Sequence, residues 1–240
     1  MASTIPDLRY RAQLVELMDE PCSREEMRAC LIDLARTNRW TMAYRPILRW
    51  LDWIISQRLR SLEPFRILDV GCGYGDGLRR IEQWATARGI AVDLIGLDRN
   101  SDAIAIAAEA SPRSSKIRWV NADALAFAPQ QTIHFVVSSQ FTHHLSQEDI
   151  VQFLRWMEQH AERGWFICDL FRASIPYFAF RVFAKLAGLH RFVQCDGPAS
   201  IARSFVPDEW RRMCAMAGLR NDEVLIQCFN HARLCVAREK

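Results

Sequence analysis

No stretch of this 240-residue chain is long and apolar enough to read as a bilayer span. The nearest, Ile167–Leu189, is broken by Asp169, Arg172, Pro176, Arg181 and Lys185. A C-x-x-C pair is also missing. The eight cysteines (Cys22, Cys30, Cys72, Cys168, Cys195, Cys214, Cys228 and Cys235) have neither zinc-ribbon nor thioredoxin spacing, and no metal is expected. Several lie in apolar runs, where a thiol packs as a small core residue. The N-terminal residues lack the apolar segment of a secretory leader, so a reducing cytoplasm is the expected compartment. Charge of one sign is scarce: 31 basic against 28 acidic residues leave +3, which gives no sign of a polyanion partner. Repeats, Gly/Ser linkers and low-complexity segments are absent. What remains is half hydrophobic and a quarter charged, the balance of a globular protein with a sizeable core. The length fits one large α/β domain or a core domain with a small cap.

Residues 1–60 read as a helical extension, a lid on the domain formed by 61–240. Ser23 and Glu26 fit a capping box opening a helix with Met27, Cys30, Leu31, Leu34 and Ala35 on one face. Pro46 suits a first helical turn, followed by Leu48, Trp50, Leu51, Ile54, Ile55 and Leu59 at helical spacing. From residue 65 strands and helices alternate: strands at 65–70, 91–97, 117–121, 133–138 and 165–169, with helices at 77–87, 102–110 and 147–160. That rhythm predicts an α/β fold with a doubly wound, mostly parallel seven-stranded sheet. A helix at 207–217 then precedes two strand-like runs, 223–229 and 233–238. The short link between them permits only an antiparallel hairpin, so an antiparallel strand should finish the sheet.

Chemistry enters at the first strand–helix turn, Asp69-Val-Gly71-Cys72-Gly73-Tyr-Gly75. Glycine there permits positive φ and close approach of a ligand to the backbone. The dinucleotide fingerprint G-x-G-x-x-G competes, but counting from Gly71 puts Asp76 at its third place. Asp69 just upstream suits a cationic ligand better than a pyrophosphate. None of the four tyrosines is followed four places later by the lysine that a short-chain dehydrogenase requires. The turn resembles the first motif of class I S-adenosylmethionine-dependent methyltransferases. Two more acidic residues fit that family. Asp98, before Arg99, ends the second strand, where a carboxylate can meet both ribose hydroxyls, and Asp123, before Ala124, follows the third, facing the adenine amino group. The resemblance covers roughly residues 60–170. It implies S-adenosyl-L-methionine as cofactor, held by Asp69, Gly71, Cys72, Gly73, Asp98, Arg99, Asp123, Ala124 and Ser139.

The acceptor side is read from two segments. Ser138-Ser139-Gln140-Phe141-Thr142-His143-His144-Leu145 lacks the Asn/Asp-Pro-Pro-aromatic signature of many enzymes that methylate amino groups of bases or glutamine, which argues against a nucleic-acid substrate. His143 and His144 offer a group titrating near neutrality, and are the candidate catalytic bases. The competing reading has His144 packed into the sheet and capping the next helix. After the fifth strand, an aromatic-rich helix from Pro176 forms a cap at about 170–205. Trp40, Tyr44, Phe171, Tyr177 and Phe178 are candidate walls for a flat hydrophobic acceptor. Glu16–Asp19, Leu34–Arg39, Asp169–Arg172 and Asp196–Phe205 further resemble a bacterial subgroup associated with polyketide and other secondary metabolism, which implies a phenolic or enolic small molecule. Asp196, Arg172 and Arg203 either bind that acceptor or anchor the cap by salt bridges. O-methylation is expected, with C-methylation of an electron-rich ring and a non-catalytic binding protein as alternatives. A homodimer through the N-terminal helices is compatible with the sequence.

Overall fold

The computed structural model describes residues 6–56, 64–229 and 232–240. Two helices come first, α1 (Arg24–Trp40) and α2 (Arg45–Ser56). The alternating region follows as β1 (Phe65–Val70), α3 (Asp76–Arg88), β2 (Val92–Asp98), α4 (Ser101–Glu109), β3 (Arg118–Asn121), β4 (Ile133–Ser139), α5 (Gln147–His160) and β5 (Ala161–Leu170). Two cap helices, α6 (Ser174–Leu186) and α7 (Arg191–Arg203), precede α8 (Pro207–Met216), β6 (Leu225–Phe229) and β7 (Arg233–Glu239). The sheet has seven strands in the order β3-β2-β1-β4-β5-β7-β6, parallel except at β7, which inserts antiparallel between β5 and β6. The strand order reverses between β1 and β4. In such sheets the crevice beyond the carboxyl ends at that point is the natural ligand site.

Alternation along each strand divides the core between two faces. Leu68, Val70, Val136, Trp165, Ile167 and Leu234 meet α5 and α8, with Phe153, Met157 and Trp210 filling the layer. Ile67, Phe135, Val137, Phe166 and Cys168 meet Trp50, Leu51 and Ile54 of α2 and Leu78, Ile81 and Trp84 of α3. Thus α2 is a layer of the sheet sandwich, and α1 is the N-terminal helix that reaches the carboxyl edge. The capping box at Ser23 and Glu26 opens α1, and its Met27 and Leu31 pack on Ala103 and Ile106 of α4.

Two local expectations are corrected. The fifth strand starts at Ala161, four residues early, because a register shift against β4 lets it pair with Ile133. Asn100 caps α4, accepting from the main chain of Asp102 and Ala103. Ser146, not His144, caps α5. The cap helix α6 is also less enclosed than its composition suggests: Ile175, Phe178, Val182 and Leu186 form an exposed stripe beside the face that lines the crevice.

Candidate active site

The carboxyl ends of β1, β2, β4 and β5 open into one cavity of about 1020 Å³, roofed by α1, α6 and α7. That size is at the upper end for small-molecule sites, enough for two ligands side by side. One lobe is built on the glycine turn after β1. Gly71, Gly73 and Gly75 have φ of +72°, +49° and +73°. A Cβ on Gly71 would come within 2.6 Å of the Phe141 ring, whereas one on Gly73 would meet nothing nearer than Leu31 at 4.0 Å. Gly73 therefore combines a left-handed backbone with open space on the cavity side. Its N–H donates to Asp98 Oδ2 at 2.9 Å and that of Asn100 to Oδ1 at 2.9 Å, fixing the carboxylate while each oxygen keeps acceptor capacity. Asp123 is set by an Asx turn, Oδ1 accepting from Leu125 N–H at 2.9 Å. Cys72, Arg99, Ala124 and Ser139 line the same lobe with these two aspartates. Ser139 Oγ is buried with no hydrogen-bond partner among the described residues.

Asp69 is placed differently from the expectation. It lies behind the turn against Gly77, off the cavity surface. Burial, with Asp76 and Asp98 nearby, pushes its carboxyl well above the usual range. Asp76 takes the position on the wall. Tyr44 Oη donates to Asp76 Oδ2 at 2.9 Å, Asn38 Nδ2 to Tyr44 Oη at 2.9 Å, and Gln140 Nε2 to Asn38 Oδ1 at 2.7 Å. Burial raises the Asp76 carboxyl despite the bond from Tyr44. Gln140 holds this chain with φ +54°, a conformation non-glycine residues adopt at a cost.

The second lobe centres on His143, in a short 3-10 turn (Thr142–His144) after β4. His143 is the buried histidine, and His144, with a ring centroid 4.2 Å away, is the more open one. His143 Nδ1 lies 2.8 Å from Asp169 Oδ1, at the end of β5, where the fully buried carboxylate also accepts from Thr142 Oγ1, His143 N–H and Leu170 N–H. Burial acts to raise the Asp169 carboxyl, but the histidine and these donors outweigh it and hold it well below its ordinary range. His143 Nε2 is 3.6 Å from Glu16 Oε1 and His144 Nε2 is 3.8 Å from Oε2. Among the described residues these three are the group whose ligand atoms cluster closely enough for a metal, within 4.8 Å. Glu16 Oε1, however, already accepts from Ser200 Oγ at 2.9 Å and Arg203 Nη1 at 3.1 Å. Arg11 braces the turn, donating to the carbonyls of His143 and Leu145.

The candidate acceptor residues separate. Tyr44 lines the first lobe. Arg172 is buried off the cavity, bonded to Ser204 O at 2.6 Å, Leu8 O at 3.2 Å and Glu209 Oε1 at 2.7 Å. Arg203 is occupied with Glu16. Tyr177 is buried against Ile201 and Ala202, Phe171 packs on the main core, and Trp40 is half-exposed, edge-on to Phe183. The aromatic walls are instead Phe141, Phe153, Phe180 and Phe183. On α6, the residues facing the cavity are Pro176, Ala179, Phe180 and Phe183, a different stripe of the same helix from Tyr177 and Phe178. Asn38, Asp76, Gln140 and Arg233 line the cavity as well.

Residues 67–164, from β1 into β5, match the family described as a methyltransferase domain. No curated protein sequence matches the chain. Among solved structures, the chain resembles the plantazolicin methyltransferase BpumL in complex with SAH, at 13% identity and TM-score 0.62, covering 90% of this chain and 96% of that one. Human N-acetylserotonin methyltransferase in complex with SAM is similar at 11% identity and TM-score 0.62, over 91% of this chain and 56% of that one. Magnesium protoporphyrin IX methyltransferase from Synechocystis, with bound SAH, aligns at 11% identity and TM-score 0.55, over 92% and 89%. At these identities the likeness is one of fold.

Proposed function

We propose that the chain transfers the methyl group of S-adenosylmethionine to an oxygen of a hydrophobic phenolic or enolic small molecule, with His143 as the base. The observation that carries this reading is the pairing of two lobes in one cavity: a glycine turn bonded to Asp98, and a histidine held by a buried carboxylate. The first lobe fits a nucleoside with a cationic side arm. Gly73 leaves space, Asp98 and Asp123 retain acceptors, and Ser139 Oγ and one Arg233 nitrogen are buried without partners among the described residues. The bound donor would supply an electrophilic sulfonium methyl.

The residues of the chain then have defined tasks. When the neutral ring of His143 donates Nδ1–H to Asp169, Nε2 carries the lone pair and faces Glu16 on the cavity wall. A phenol or enol brought to Nε2 loses its proton there, and Asp169 stabilises the imidazolium that forms. Phe141, Phe153, Phe180 and Phe183 supply apolar walls that exclude water and orient a flat acceptor. Alignment of acceptor and methyl does most of the remaining work. All eight cysteines are unbridged, which suits a reducing compartment, and no helix among the described residues is long and apolar enough to cross a membrane.

The test is calorimetry with S-adenosylmethionine and S-adenosylhomocysteine, followed by a screen of phenolic and polyketide-like acceptors with NMR of the product. The reading expects His143→Ala to lose turnover while retaining donor affinity. Methylation at ring carbon would replace O- by C-methylation, and full turnover in both His143→Ala and His144→Ala would remove the base role.

A further inference from the structure

One cation in the cavity wall takes no part in that chemistry. Arg233 begins β7 beside Leu170 of β5, and only 5% of its surface is exposed. Its Nη2 donates to Thr41 Oγ1, the C-cap residue of α1, at 3.2 Å, but Nη1 is buried with no hydrogen-bond partner among the described residues. Burying a guanidinium without an anion is costly. Arg172 and Arg203, both largely buried at this end, each meet a carboxylate directly. Arg233 is on the wall shared with Thr41, Phe229 and Ala232, so a ligand entering the cavity can reach it.

Its surroundings indicate which ligand. Asp76 lies on the same wall, and the two opposite charges act on one group between them, the buried Tyr44 phenol. Asn38, Thr41, Tyr44 and Gln140 add neutral donors and acceptors. A carboxylate, a guanidinium and amides around one space complement an α-amino acid zwitterion. Asp76, which Tyr44 bonds, is the first residue of α3 and follows directly on the Gly73–Gly75 turn, so this wall is continuous with the glycine turn.

We propose that Arg233, with Thr41, receives the carboxylate of the methyl donor's amino-acid end, and that Asp76 faces its ammonium group. This rests on S-adenosylmethionine being the donor. Arg233 thereby becomes a specificity-determining residue that separates the intact donor from nucleosides lacking the amino-acid end, and it supplies the partner its own Nη1 lacks. A carboxylate on the acceptor is the other source of the same chemistry.

Calorimetry on the wild type, Arg233→Gln, Arg233→Lys and Asp76→Asn decides, using S-adenosylhomocysteine and 5′-methylthioadenosine, which keeps the nucleoside and thioether but has no amino-acid end. Losing a charge-assisted bond of this kind weakens binding about tenfold to a hundredfold. Arg233→Gln should therefore weaken S-adenosylhomocysteine by that factor and leave 5′-methylthioadenosine unchanged, with Arg233→Lys recovering part of the loss. Asp76→Asn should show the same selectivity. An equal loss for both ligands would make Arg233 structural and overturn the proposal. Unchanged S-adenosylhomocysteine binding with a raised acceptor KM would assign Arg233 to the acceptor and also overturn it. If the wild type binds neither ligand, the donor reading itself fails; that outcome is distinct from a failure of the clamp alone.

Discussion

Asp169→Asn removes one charge from a carboxylate that accepts four hydrogen bonds, at 2.6 Å from Thr142 Oγ1, 2.9 Å from His143 N–H, 2.8 Å from His143 Nδ1 and 2.7 Å from Leu170 N–H. An amide has only one acceptor oxygen. With its nitrogen at the Oδ1 position it opposes Leu170 N–H and forces His143 to move its proton from Nδ1 to Nε2. With its nitrogen at the Oδ2 position it opposes His143 N–H. Either orientation leaves a buried main-chain donor unsatisfied and weakens the remaining bonds, each worth about 1.5–3 kcal/mol to a charged acceptor. Relief of the carboxylate's burial offsets part of this, so a net loss of about 3 kcal/mol is expected, or roughly 6–12 °C in Tm for a chain of this size. The chemical effect should be larger. Losing the tautomer and the stabilised imidazolium should lower kcat about 10²- to 10⁴-fold. The assays are thermal unfolding, initial rates with a responsive acceptor, and calorimetry with S-adenosylhomocysteine, whose affinity should hold because Asp98 and the glycine turn are separate. A kcat within about threefold of wild type, with Tm unmoved, would refute the base assignment and the account of this network.

Arg172→Met tests whether that arginine anchors the cap or touches acceptor. Breaking its buried contact with Glu209 should cost about 3–5 kcal/mol, seen as a lower Tm, with acceptor KM unchanged at a temperature where the variant is folded; a raised KM at unchanged Tm would reverse the conclusion. Asp69 gives a pH signature. Its folded carboxyl titrates above the unfolded one, so its favourable contribution is complete at acid pH and is lost as pH rises through the folded value. Asp69→Asn should therefore raise Tm relative to wild type near neutrality and not near pH 4, measured without donor. A constant offset across that range would contradict it. Gly71→Ala should destabilise by about 1–3 kcal/mol, since the new Cβ meets the Phe141 ring in a left-handed backbone, and unfolding in denaturant would reveal it.

The sheet was legible because its strands are short apolar runs set off by helical periodicity, and β1, α5 and β6–β7 fall where that pattern puts them. The placement of the glycine turn, Asp98 and Asp123 on the cavity was visible for the same reason: each sits at a strand end, which opens into that cavity. Residues that reach the cavity through tertiary packing were not legible. Glu16 comes from a segment with no strong pattern and finds His143 across more than a hundred residues. Arg233 reads only as the start of a strand until α1 closes over it. Asp76 was visible as a departure from the dinucleotide spacing, but its exchange of places with Asp69 depends on which side of the turn each carboxylate faces. The cap aromatics show the limit on a helix: nearly every face of α6 is apolar, so periodicity cannot say that Phe180 and Phe183, rather than Tyr177 and Phe178, meet the cavity.

The central claim is that the Gly71–Asp98 lobe holds a methyl donor, and calorimetric titration with S-adenosylhomocysteine tests it most directly. The account predicts saturable binding at one site per chain, weakened about tenfold or more in Asp98→Ala, where the acceptor fixed by the Gly73 and Asn100 amides is gone. Absence of binding to the folded wild-type protein, or equal affinity in the variant, would contradict it.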